Sequence, residues 1–187
     1  MKKFELTNEF VVNVFGNKLF RVRALVAFGS VKAGEQGGYV EKEENLSQTG
    51  NAWVSGNARV YGNAWVSGNA WVYGKAEVSG DAEVYGDAQV SGKAEVSGDA
   101  KVSGDAQVSG DARVSGNADY ATVKGFGCIN RNTTFFRCKG GKVRVVCGRV
   151  FGDLEEFRAI VKRTHGDGRM AKEYLAIADL METHFKG

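Results

Sequence analysis

From residue 51 onward, apolar and polar positions alternate with a period of six. The units read NAWVSG, NARVYG, NAWVSG, NAWVYG, KAEVSG, DAEVYG, DAQVSG, KAEVSG, DAKVSG, DAQVSG, DARVSG and NADYAT. Ala recurs from Ala52 to Ala118, and Val stands two residues later from Val54 to Val114, with Tyr120 in its place in the last unit. In extended backbone, residues two apart face the same side. Ala and Val therefore turn inward and the variable residue between them turns outward. Gly followed by Asn, Asp or Lys marks a corner, because Gly takes positive φ freely and Asn and Asp tolerate it. Three short strands and three corners close an 18-residue coil. At about 4.8 Å per coil, four stacked coils make a prism roughly 19 Å tall. Counting back by six puts Leu46 and Val40 on the Ala position, which predicts a degenerate first coil over residues 38–50.

A spacing of 18 sorts the outward residues onto three faces. One carries Trp53, Trp71, Gln89 and Gln107; the second Arg59, Glu77, Glu95 and Arg113; the third Trp65, Glu83, Lys101 and Asp119. Trp53 and Trp71 are expected to pack at a subunit interface or under the N-terminal segment. Their alternative role is a stacking platform for a base or a sugar.

The ends of a solenoid must be covered. Residues 9–28 read as a hairpin turning at Gly16-Asn17. The Gly-rich stretch 29–40 lacks the G-x-x-x-x-G-K-[ST] spacing of a phosphate loop, and no helix follows it. Residues 133–148 read as a second hairpin turning at Gly140-Gly141. A two-residue turn there sets Arg137 across from Arg144, Cys138 across from Val143 and Cys147 across from Thr134. Two arginines side by side repel, and an anion between them relieves the cost. Asp153 is placed to cap a helix from Leu154 that ends at Gly166, and a second helix runs from Arg169 to Phe185. The chain thus divides into a hairpin cap (1–37), a repeat region (38–123) and a C-terminal ββαα module (124–187).

Composition sharpens this picture. The 187 residues include 26 Gly and no Pro, against roughly 13 and about 9 at average usage. Glycine serves the corners, and proline would delete a ladder donor. Residues 1–49 hold 7 basic and 6 acidic side chains, residues 50–120 hold 5 and 9, and residues 121–187 hold 13 and 7. The basic C-terminal piece, with Arg131, Arg137, Arg144 and Arg149 around its hairpin, favours an anionic partner. No apolar run is long enough to span a membrane, and the first residues lack the apolar core of a signal peptide. Cys128, Cys138 and Cys147 match no common zinc spacing and suit a reducing cytoplasm as structural thiols. No metal and no cofactor is expected.

The G-N/D-A-x-V-S/Y unit resembles the hexapeptide repeat of left-handed parallel β-helix proteins. With the VKAG-x-x-GG segment at residues 31–38, residues 20–120 resemble bacterial and phage or prophage hexapeptide proteins. The resemblance implies a mainly β, left-handed parallel β-helix, commonly a homotrimer of parallel prisms, in the cytoplasm of a bacterial host cell. Hexapeptide acyltransferases generally use a histidine on the helix. Here His165 and His184 both lie outside the repeat, and the γ-type carbonic anhydrases of this fold need three zinc histidines. The leading expectation is a non-enzymatic binding protein for an anionic small molecule such as a nucleotide. In the phage version it sequesters a host-defence nucleotide signal. The ligand would lie at Arg131, Arg137, Arg144 and Arg149 or against Trp53 and Trp71, and a nucleic-acid polymer is not the expected partner. The alternatives are a structural scaffold or spacer and a divergent acyltransferase.

Overall fold

The computed structural model describes residues 1–127 and 131–186. It is mainly β. Strands β1 (Phe4–Val12) and β2 (Lys18–Ala24) form an antiparallel hairpin. Its loop is organised by Asn13, whose Oδ1 accepts from the backbone N–H of Phe15 and Asn17. β3 (Gln36–Val40) pairs antiparallel with β2 and parallel with the first coil, joining hairpin to solenoid in one sheet. Gly37 and Gly38 make that close approach feasible. A Cβ on Gly37 would sit 2.5 Å from Val54 O, and one on Gly38 would sit 2.7 Å from Ala58 O. These two glycines are packing positions.

Eleven two-residue strands follow, β4 (Trp53–Val54) through β14 (Arg113–Val114). They stack in parallel, each of the first eight pairing with the strand 18 residues on: Trp53 with Trp71, Arg59 with Glu77, Trp65 with Glu83. This is a parallel β-solenoid of about four turns with three sheet faces. The corner glycines from Gly50 to Gly110 all have φ between 62° and 76°. Inside, the Ala and Val side chains from Ala52 to Val114 are at most 1% exposed. Each buried Val contributes about 2 kcal/mol by the area it removes from water.

Two details differ from the sequence reading. Val40 pairs with Val60, and Leu46 bridges Val66. Both therefore occupy the Val position, not the Ala position. The cause is a two-residue insertion. Leu46-Ser47 is followed by Gln48-Thr49 before Gly50-Asn51, where later coils go directly from Val-Ser to Gly-Asn. At the other end the twelfth unit builds no rung. Asn117–Asp119 is a 3₁₀ turn and Tyr120 opens the next sheet, so Asp119 does not extend the third face.

The C-terminal module holds four strands, not two: β15 (Tyr120–Phe126), β16 (Arg131–Arg137), β17 (Val143–Cys147) and β18 (Val150–Asp153) form an antiparallel sheet in that order. Helices α1 (Leu154–His165) and α2 (Arg169–Lys186) pack on one of its faces. Asp153 caps α1 by accepting from Glu156 N at 2.9 Å, and Glu156 accepts from Asp153 N at 2.8 Å. Phe136, Cys138 and Val146 face the solenoid interior and close its end. Phe135, Val145 and Cys147 face Phe157, Val161, Ala178 and Met181 between sheet and helices. One sheet thus serves as a lid for one core and as a floor for the other.

Candidate functional site

The sequence singles out two sets of residues, and the fold does not bring them together. Trp53 is 1% exposed; it packs edge-on against Phe28 with ring centroids 5.4 Å apart, under the N-terminal segment. It is a core residue and offers no stacking surface. Trp71 is 37% exposed, donates from Nε1 to Ser55 Oγ at 3.1 Å and lies edge-on to Tyr73. Below it, Gln89 and Gln107 continue the same face.

The arginines are separated by register. Thr133 pairs with Cys147, Phe136 with Arg144 and Arg137 with Val143, one step from the pairing that a two-residue turn predicts. The loop holds three residues, Lys139 to Gly141, closed by Cys138 N donating to Lys142 O at 2.7 Å and Gly141 N to Cys138 O at 3.1 Å. Gly140 and Gly141 both take positive φ there, at 80° and 75°. A shift of one step moves Arg137 and Arg144 to opposite faces of the sheet. It also sets Cys138 across from Lys142 and Cys147 across from Thr133, in different cores.

Each of these arginines already has a carboxylate. Arg137 Nε lies 3.1 Å from Asp119 Oδ1 and its guanidinium lies over Phe185. Burial opposes ionisation of Asp119. Hydrogen bonds from the Ser115 hydroxyl and from the N–H groups of Ser115 and Gly116, with the Arg137 charge, outweigh it and hold the carboxyl below its ordinary value. Arg144 pairs with Glu156 at 3.5 Å and lies over Phe151. Arg131 begins β16 at the end opposite Arg137, about 20 Å away along the strand, and its side chain lies outside the described residues, as does Cys128. Arg149 is exposed in the turn between β17 and β18.

A cleft of about 630 Å³ opens beside the loop, lined among others by Lys142, Arg144, Leu154, Arg158 and Phe185. Its cations are largely committed. Arg158 bridges Asp179 (2.8 Å) and Glu182 (2.5 Å), and Lys186 holds Glu182 at 2.7 Å. The ammonium of Lys186 first, and then Arg158, keep the Glu182 carboxyl low. An anion entering here would compete with carboxylates already in place.

Among the described residues, no group of three or more His, Cys, Asp or Glu side chains forms a metal cluster. Burial first, and then the Asp111 carboxylate, push the Cys138 thiol up to about 12, so it is not a nucleophile at neutral pH. Nor does any helix among the described residues have the length and apolarity to cross a membrane.

The chemistry that the structure does concentrate lies at the two poles. A parallel ladder leaves acceptors open at its first coil and donors open at its last. On the Trp/Gln face, Lys3 Nζ donates to Ala52 O (2.9 Å) and Gly50 O (3.5 Å). On the Arg/Glu face, the N–H groups of Tyr39 and Glu41 meet Ala58 O and Val60 O. On the third face, Asn45 Nδ2 donates to Ala64 O (2.8 Å) and Gly62 O (3.1 Å). At the far pole, Asn117 Oδ1 accepts from Lys101 N and Thr134 Oγ1 accepts from Gln107 N. Asn45 and Thr134 are buried with at most 1% exposed, and Lys3 with 4%. Sequence reasoning missed all of these caps. The one local signal was the two-residue insertion beside Leu46.

The three rung-built faces and closed poles define a parallel β-solenoid repeat protein. A family model described as the YdcK beta solenoid repeat matches residues 52–68, 58–74 and 106–118, all within the repeat. No curated protein matches the chain.

Proposed function

We propose that this chain is a non-catalytic structural element: a rigid spacer, closed at both poles, that joins copies of itself side by side, three to an assembly. The observation that carries this reading is the asymmetry of the faces. The second and third faces neutralise themselves along the stack, with Arg59–Glu77 and Arg113–Glu95 at 3.2 Å and Lys101–Glu83 at 3.0 Å. The Trp/Gln face carries no charge on any rung and presents Trp71 and Tyr73, each 37% exposed, whereas Trp65, 45% exposed, stands over Glu83 and Lys101 on the charged third face. Aromatic enrichment with few charges at the centre is the signature of an interface core. The capped poles disfavour end-to-end growth, so association through a lateral face is the remaining route.

The anionic-ligand reading draws less support, because its arginines lie on different faces and Arg137 and Arg144 hold carboxylates. Light scattering coupled to size exclusion tests the proposal. The wild type is expected to elute as a trimer. Trp71→Glu should yield a monomer with unchanged far-ultraviolet circular dichroism, and a nucleotide panel should leave the melting temperature unmoved. A wild-type monomer, or a trimer indifferent to Trp71→Glu, overturns it.

A further inference from the structure

The first six residues close the Trp/Gln face of the solenoid in an unusual way. Phe4 is fully buried. The Gln48 side chain, in the two-residue insertion, accepts from Lys3 N (2.8 Å) and Phe4 N (3.3 Å) and donates to Phe4 O (3.2 Å), so a single amide acts as a strand neighbour. Lys2 reaches Glu43 at 2.5 Å. Between these ties, Lys3 runs inward, and its Nζ meets two backbone carbonyls and the Phe28 ring, 4.7 Å from the centroid.

We propose that residues 1–6 form a latch over the first coil, and that the latch tightens as Lys3 loses its proton. Both carbonyls need only two N–H donors between them, and a neutral amine supplies two. Deprotonation therefore keeps the hydrogen bonds and removes the cost of holding a charge out of water. No carboxylate opposes this. The charged neighbours on the same strand are committed elsewhere, Lys2 to Glu43 and Glu5 to Arg23. The corner at residues 48–52 offers only the uncharged Gln48 and Asn51, and the loop from Leu25 to Val31 has no ionisable side chain.

Burial lowers the Lys3 pKa from 10.5 to about 8. A depressed amine pKa means that the open latch binds more protons than the closed one between these values. Closure is therefore favoured as pH rises through that window. From about pH 7 to about pH 9.5 the opening constant should fall about twenty-fivefold by this linkage.

Hydrogen exchange of residues 3–6, corrected for the intrinsic pH dependence and referenced to Gln89 and Val90 in the solenoid, measures the opening. The wild type should show the fall, and Lys3→Met, which fills the slot without titrating, should show a flat profile. Wild-type protection that is flat or weakens with pH overturns the proposal, as does the same slope in Lys3→Met. The ¹³Cε shift of Lys3 in the wild type gives an independent reading should that variant not fold. A midpoint near 8 supports the proposal and one near 10.5 overturns it.

Discussion

Gly92 and Gly104 stand at equivalent kinds of corner with nearly the same backbone, φ 71° and 63°. Their surroundings differ. A Cβ on Gly104 would have nothing within 4 Å, whereas one on Gly92 would lie 2.8 Å from Gly110 N and 3.0 Å from Gly110 O. Replacement by Ala at Gly104 therefore costs only the left-handed strain, about 1–2 kcal/mol. The stiffer unfolded chain returns about 0.4–1 kcal/mol of this, which leaves a net cost near 1 kcal/mol. At Gly92 the methyl meets backbone that cannot turn aside. The coils must part where Lys93 N donates to Gly110 O at 2.7 Å. Losing that bond at this solvent-accessible corner adds about 0.5–1.5 kcal/mol, for a total of about 2 kcal/mol. Urea unfolding followed by circular dichroism measures both, with the slope m checked for constancy. Equal costs for Gly92→Ala and Gly104→Ala would refute the claim that coil spacing, in addition to φ, selects glycine at these corners.

Asn45→Ala should cost about 2 kcal/mol, since the buried Ala64 carbonyl and the part-buried Gly62 carbonyl lose their donor, and Asn45→Asp should cost at least as much because it aims a carboxylate at both; thermal unfolding reads each. Cys138 in the folded protein should resist alkylation at neutral pH and label only after denaturation, as peptide mapping would show. Its thiol pKa is raised from 9.0 to about 12, so the folded state binds more protons in that window. The stability from this group should therefore decline as pH rises from about 9 to about 12, measurable as a urea midpoint that loses ground with rising pH in the wild type relative to Cys138→Ala.

The repeat was legible because a period of six over eleven rungs permits only one assignment of inward and outward residues. The helices were legible from Asp153, Gly166 and their apolar stripes. Register was not. Gly140-Gly141 marks a turn, but whether the loop holds two residues or three depends on the closing hydrogen bonds at Cys138, and that single step moved Arg144 away from Arg137. The same limit placed Leu46 and Val40 two positions off, because counting by six cannot see an insertion that costs nothing at a corner. The strands at 120–126 and 150–153 were missed since neither carries a clean alternation; they form because β16 and β17 offer them a sheet to extend.

By itself, then, the sequence determined the coil: inward Ala and Val, corner glycines and the order of residues down each face all follow from local backbone preference repeated at fixed spacing. Only the tertiary structure decided how the coil ends. Lys3, Asn45, Asn117 and Thr134 meet the open ladder groups from sites up to 49 residues away in sequence. Such pairings leave no periodic trace, because each cap is used once and is fixed by distance in space.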